Sequence, residues 1–183
     1  MLQRPANHKC ATGMTLIEVM IAAMVLAIGI MSAMSALISV STLETANHDD
    51  LIAISVAKQK LAEIQTQKFQ TVFSFYGPNG QQNKFDVYPL PEGQGKIEFP
   101  TNPAIADNAL PDTSISYTLS EMVNNSGLAT DLGMPMDLDG DGLASKTDVT
   151  TTYVLLPMRI TITWNSSVGP RSMKLCTMLV KTN

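Results

Sequence analysis

Gly13-Met14-Thr15-Leu16-Ile17-Glu18, running straight into the uncharged stretch Val19 to Val40, decides how this chain is built. Val19 to Val40 is 22 residues long, enough to cross a hydrocarbon core of ~30 Å at ~1.5 Å per helical residue. Met1 to Gly13 holds Arg4 and Lys9, no acid, and no apolar stretch of its own. A secretory signal carries its apolar segment before the cleavage site; here that segment follows the glycine, so a cut at Gly13 leaves it as the start of the mature protein. Of the charges flanking the span closely, Lys and Arg lie only on its N-terminal side, and Glu44, Asp49 and Asp50 lie beyond its other end. The positive-inside bias therefore leaves the leader, residues 1–13, in the cytoplasm and the bulk of the chain in the periplasm or outside the cell.

No proline occurs between Pro5 and Pro78, so nothing forces the helix to stop where the membrane segment, residues 14–40, ends. In residues 41–76 the pattern turns amphipathic, with Leu51, Ile54, Leu61 and Ile64 set among Asp50, Lys58, Lys60 and Glu63. This predicts one helix from about residue 15 to about residue 68, with the last helical turns fading by Phe73 to Tyr76. Its second half needs a partner for the apolar stripe.

Glu18 calls for a reason, because a carboxylate in a membrane helix costs up to ~2.5–3.5 kcal/mol at the bilayer centre and less near the interface. One reason is local: Thr15 and Glu18 have the spacing of a capping box, in which hydroxyl and carboxylate satisfy amides of the first turn. The other is intermolecular: cleavage creates a positive amine on Met14, and Glu18 awaits that amine on a neighbouring subunit. The two roles are compatible.

Gly13 followed by Met-Thr-Leu-Ile-Glu-Val, with Val25-Leu26-Ala27-Ile28-Gly29-Ile30 inside the span, resembles the N-terminus of type IV pilins and of type II secretion pseudopilins. The similarity is strongest over Lys9 to Met34 and is closest to minor pilins of the PilV kind. The resemblance implies an α+β fold, a long N-terminal helix packed on a small antiparallel sheet. It also implies that a prepilin peptidase cuts Gly13–Met14 and methylates Met14, and that Glu18, with Thr15 beside it, serves assembly. The implied partners are major and minor pilins, the peptidase, the membrane and the inner-membrane assembly platform. The chain would be a single-pass inner-membrane protein before it enters an extracellular pilus. It departs from the family's usual pattern in carrying Met14 where phenylalanine is common and in lacking the proline that major pilins tend to have within the span. The first loses aromatic packing at the new N-terminus while leaving cleavage intact; the second suits a straighter helix and a subunit other than the main fibre protein.

From Gly77 to Asn183 the composition shifts to Gly, Pro, Asn and Asp, with nine of the ten prolines. Ile115, Tyr117 and Leu119, and then Met158, Ile160, Ile162 and Trp164, alternate with polar residues at the two-residue period of half-buried strands. Thr150 to Val154 also reads as a strand. Asn165 to Pro170 has turn chemistry ahead of Arg171 to Val180, which predicts a C-terminal antiparallel hairpin.

Residues 137–148 form a second motif. Asp137, Asp139 and Asp141 stand at positions one, three and five of a calcium-type loop, and Gly142 stands at six. The Leu143 carbonyl, Ser145 and Asp148 follow at seven, nine and twelve. The spacing predicts a structural Ca2+ clasp, with Asp148 shorter than the usual terminal glutamate. The competing reading is a solvated acidic turn.

Catalysis has little material. His8 and His48 are the only histidines, and no glycine-rich phosphate loop follows a strand. Without Arg4 and Lys9, ten basic residues face sixteen acids, a net of −6, which argues against a broad nucleic-acid surface. Cys10 leaves with the leader, so Cys176 stands alone and is expected to be buried. The chain is read as structural, not as an enzyme: a minor pilin that joins or primes a type IV pilus near its tip. A type II secretion pseudopilin is the alternative. A calcium-dependent adhesive module carried by a pilus is an alternative of another class, and it would use exposed loops over 77–95 and 101–113.

Overall fold

The computed structural model describes residues 14–104, 116–123 and 126–181. The leader with Gly13, residue Ile115 of the alternating strand, and most of the 101–113 loop lie outside the described residues. The chain divides into two units, Met1–Leu43 and Glu44–Asn183.

A long N-terminal helix followed by a small antiparallel sheet gives the α+β architecture expected from the resemblance. Helix α1 spans Leu16–Gln65 and α2 spans Phe69–Tyr76. The expected single run is thus interrupted at residues 66–68. The Thr66 hydroxyl donates to the Glu63 carbonyl (2.6 Å) and Gln67 N–H to the Ile64 carbonyl (3.0 Å), bonds that tighten and end the last turn. Neither glycine nor proline marks this break.

In the first unit, Leu16 and the following residues are apolar all round and exposed, and α1 is long and apolar enough to cross a membrane. Its hydroxyls are satisfied within the helix: Ser32 donates to the Gly29 carbonyl (2.9 Å) and Ser35 to the Met31 carbonyl (3.0 Å). In lipid, where no water replaces a lost partner, such back-bonding makes serine tolerable.

In the second unit the order of the main sheet is β1-β2-β5-β6, all antiparallel, from Lys84–Asp86, Gln94–Glu98, Leu155–Ser166 and Gly169–Val180. A separate ladder pairs β3 (Thr101–Ala104) with β4 (Ser116–Leu119), and Ser126–Leu132 forms α3. The predicted hairpin is present but tighter than its turn chemistry suggested, because Ser166 already pairs with Gly169 across a two-residue loop. Met158, Ile160 and Ile162 are fully buried and Trp164 nearly so, and they share one core with Ile97, Phe99, Val72, Phe73 and Tyr76.

The helix meets this core on a stripe that keeps Ile64 and, partly, Leu61 of the one expected but replaces Leu51 and Ile54 by alanines. Ala53, Ala57 and Ile64 are fully buried, while Leu51 is 65% and Ile54 39% exposed. Ala53 and Ala57 take the central positions of the buried stripe, and the larger Leu51 and Ile54 lie at its exposed rim. Thr150–Tyr153 is a turn, not a strand. The Thr150 amide donates to Asp148 Oδ1 (3.0 Å), the Thr150 hydroxyl accepts the Leu119 amide (3.0 Å), and the Thr152 and Tyr153 amides both reach the Val149 carbonyl. These local bonds outweigh the strand preference of β-branched residues. Cys176 is exposed on β6, contrary to the expected burial. The segment read as an exposed 77–95 loop includes β1 and the first residues of β2.

Candidate functional site

Met14 and Thr15 precede α1, and Glu18 lies in its first turn, exposed. The turn is closed by backbone alone: Thr15 O accepts Glu18 N–H (3.0 Å) and Val19 N–H (3.2 Å). Among the described residues no side-chain hydrogen bond involves Thr15 or Glu18, so the reciprocal capping box is not formed. The carboxylate of Glu18 stands beside an exposed apolar helix surface and has no side-chain partner among the described residues. A carboxylate so placed is suited to a cation brought by another molecule.

Residues 8–34 match the prokaryotic N-terminal methylation motif. The motif covers Gly13, Met14, Glu18 and the first part of the apolar helix, and supports a type IV pilin-like prepilin or pseudopilin. It indicates a structural protein of the pilin type, with pilus-related partners such as other pilins and a prepilin peptidase. The methylation motif and the apolar helix behind it are consistent with membrane anchoring. No curated protein and no solved structure matches the chain.

The acidic loop gathers a different set of residues from the one its spacing suggested. Asp137, Asp139 and Glu121 place carboxylate oxygens within 4.8 Å of one another. Glu121, fully buried, was not foreseen; it precedes Asp137 by 16 residues and belongs to no recognisable spacing. Its Oε1 accepts the Leu138 amide (2.9 Å), and its Oε2 accepts the amides of Ser145 (3.0 Å) and Lys146 (2.8 Å), so one side chain clasps both limbs of the loop. Leu138 is fully buried and anchors the loop in the core.

The remaining loop positions are engaged locally. Asp137 accepts the Gly140 and Gly142 amides, both at 2.7 Å, and these two glycines have φ of +80° and +88°, a region that other residues enter at a cost. Asp141 Oδ1 accepts the Leu143 amide (2.8 Å), Ser145 offers its amide to Glu121, and Asp148 takes the Thr150 amide instead of joining the three-carboxylate group. Lys146 supplies a cation from inside the loop, with its ammonium on Asp139 Oδ2 and on Asp141 Oδ2 (2.7 Å). Hydrogen bonds to Asp139 and then Asp141 raise the Lys146 pKa, and the bond from Lys146 lowers that of Asp141. Lys146 was legible in the sequence as the one basic residue of the motif, but spacing rules for the loop give that position no role.

Hard carboxylate oxygens converging from Glu121, Asp137 and Asp139 are the donor set calcium takes, so the residues fit the ion. They would do so in competition with Lys146 for Asp139.

Proposed function

We propose that this chain is a type IV minor pilin, cut between Gly13 and Met14 and N-methylated on Met14 by a prepilin peptidase. Before assembly it is held in the inner membrane by residues 14–40, with the Glu44–Asn183 unit in the periplasm. It then enters a pilus, at or near the tip, and supports pilus biogenesis. The observation that carries this reading is a methylation motif leading into an apolar helix whose large side chains are exposed, with Glu18 at its head and no side-chain partner for it among the described residues. In a filament the helix is covered by the same segment of its neighbours, and Glu18 meets the Met14 amine of the adjoining subunit. Charge pairing sets the stagger, and apolar packing supplies the adhesion.

A pseudopilin of type II secretion would share every step of this chemistry. Deleting the gene separates the two: loss of surface pili with secretion intact is the expected result, and loss of secretion with normal piliation would assign the chain to the secretion filament.

The Glu121, Asp137 and Asp139 cluster favours a structural calcium ion as an added feature. Full-length protein in detergent micelles should melt several degrees higher in millimolar calcium than in chelator, as expected when a ligand at ~100 times its Kd adds about 2.7 kcal/mol to the folded state. Lys146→Gln should lower the melting temperature in chelator and enlarge the calcium shift, because it removes the competing ammonium. An unchanged melting curve for both proteins in calcium would dismiss the ion. The adhesive-module alternative would add to this a surface that the calcium-bound unit recognises.

A further inference from the structure

An open cavity of 640 Å³ runs along the outer face of β1, β2 and β5, away from the buried row of Met158, Ile160 and Ile162. Strand pairing sets two rungs across it. On the first, Lys84 lies directly opposite Lys96, which lies opposite Thr161; on the second, Asp86 lies opposite Gln94, which lies opposite Thr163. Like charges placed opposite each other on a sheet face cost stability.

The fold does little to relieve that pair. Lys96 reaches Glu98 at 2.9 Å, but the same carboxylate already accepts Arg159 Nε (2.9 Å), Arg159 Nη2 (2.7 Å) and the Thr161 hydroxyl (3.2 Å). Arg159 is further held by Asp131 at 2.6 Å. Beyond the backbone ladder, the side chains of Lys84 and Asp86 have no ion pair or hydrogen bond among the described residues. The first rung therefore presents two ammonium groups, of which only Lys96 has an acid partner, one already engaged by Arg159. The second rung presents an acid, an amide and a hydroxyl. Residues two apart on a strand stand about 6.6 Å from each other, roughly the width of one pyranose ring. Phe85, between Lys84 and Asp86, turns to the opposite face, where it packs against the core and its ring fills the space a side chain at Gly95 would need, 2.1 Å from an ideal Cβ there.

We propose that this cavity binds an acidic sugar residue, its carboxylate on the Lys84 and Lys96 rung and its ring hydroxyls on the rung of Asp86, Gln94 and Thr163. A bare oxyanion would use only the first rung and be repelled by Asp86. A nucleic-acid backbone would need a track of cations, and Asp86 and Glu98 interrupt it. Only a ligand that carries both an anion and hydroxyl donors satisfies both rungs.

The test uses full-length protein in detergent micelles, titrated by calorimetry with glucuronate, glucose and inorganic phosphate. Saturable glucuronate binding is expected, with glucose and phosphate each much weaker. Lys84→Gln combined with Lys96→Gln should weaken glucuronate by about tenfold or more, since each lysine supplies a charge-assisted bond. Asp86→Asn should weaken glucuronate and leave any phosphate binding unchanged or stronger. Lys84→Gln alone removes the repulsion and keeps the Lys96–Glu98 pair, so the melting temperature of that variant should hold or rise; a fall would contradict the reading of the first rung. No saturable glucuronate binding, equal affinity in the lysine variant, or phosphate or glucose binding as tightly as glucuronate would each overturn the proposal.

Discussion

Glu121→Ala is expected to lower the melting temperature of the full-length protein by about 10 °C or more, the largest effect anticipated for any single side chain of the second unit. Three amides, of Leu138, Ser145 and Lys146, lose their acceptor at once; Glu121 and its bond to Leu138 are buried, and the bonds to Ser145 and Lys146 are partly so. Each buried donor left unpaired costs ~1–3 kcal/mol, so the sum reaches several kcal/mol even if water enters to relieve one of them. Glu121→Gln should fall between, because its amide oxygen keeps some of these bonds while its NH2 faces a donor. Melting is followed by far-ultraviolet circular dichroism in micelles, with and without calcium. A loss of only a degree or two would mean that the loop is held by Leu138 and the neighbouring backbone, not by the clasp.

Glu18→Ala is expected to leave membrane insertion intact and to reduce incorporation into sheared filaments by tenfold or more. Insertion should if anything become easier, since the substitution deletes a carboxylate from a membrane helix. Incorporation suffers because the Met14 amine of the neighbour loses its partner, and breaking a buried pair by removing one member costs ~3–5 kcal/mol. Glu18→Gln separates charge from hydrogen bonding and should assemble little better than alanine if charge is what matters. Equal recovery of wild type and Glu18→Ala in the filament fraction, normalised to membrane protein, would remove Glu18 from the assembly mechanism.

The parts of this molecule that could be read from the sequence are those governed by a short period or a fixed motif. The span was legible because Val19 to Val40 holds no charge, and the C-terminal hairpin because Met158 to Trp164 alternates strictly ahead of a turn-rich segment. What escaped depends on tertiary contacts. The buried stripe of α1 is set by Ala53 and Ala57, whose small size matters only once a sheet lies against them; periodicity in larger apolar residues pointed to Leu51 and Ile54 instead. Thr150 to Val154 has the composition of a strand, yet Asp148 and Leu119 bind Thr150 into a turn. The acidic loop announced itself by spacing, but its buried acid comes from Glu121, far away in sequence, and its internal cation from Lys146. No rule of local spacing reaches either, and the same is true of the Lys84 and Lys96 rung, which exists only through strand register.

The account turns on a processed, positively charged N-terminus meeting Glu18, and the N-terminus can be read directly. Protein extracted from native membranes and sheared filaments should give, by intact and N-terminal peptide mass spectrometry, a chain that begins at Met14 and carries one N-methyl group. Filament material that still begins at Met1, with the leader attached, would contradict it.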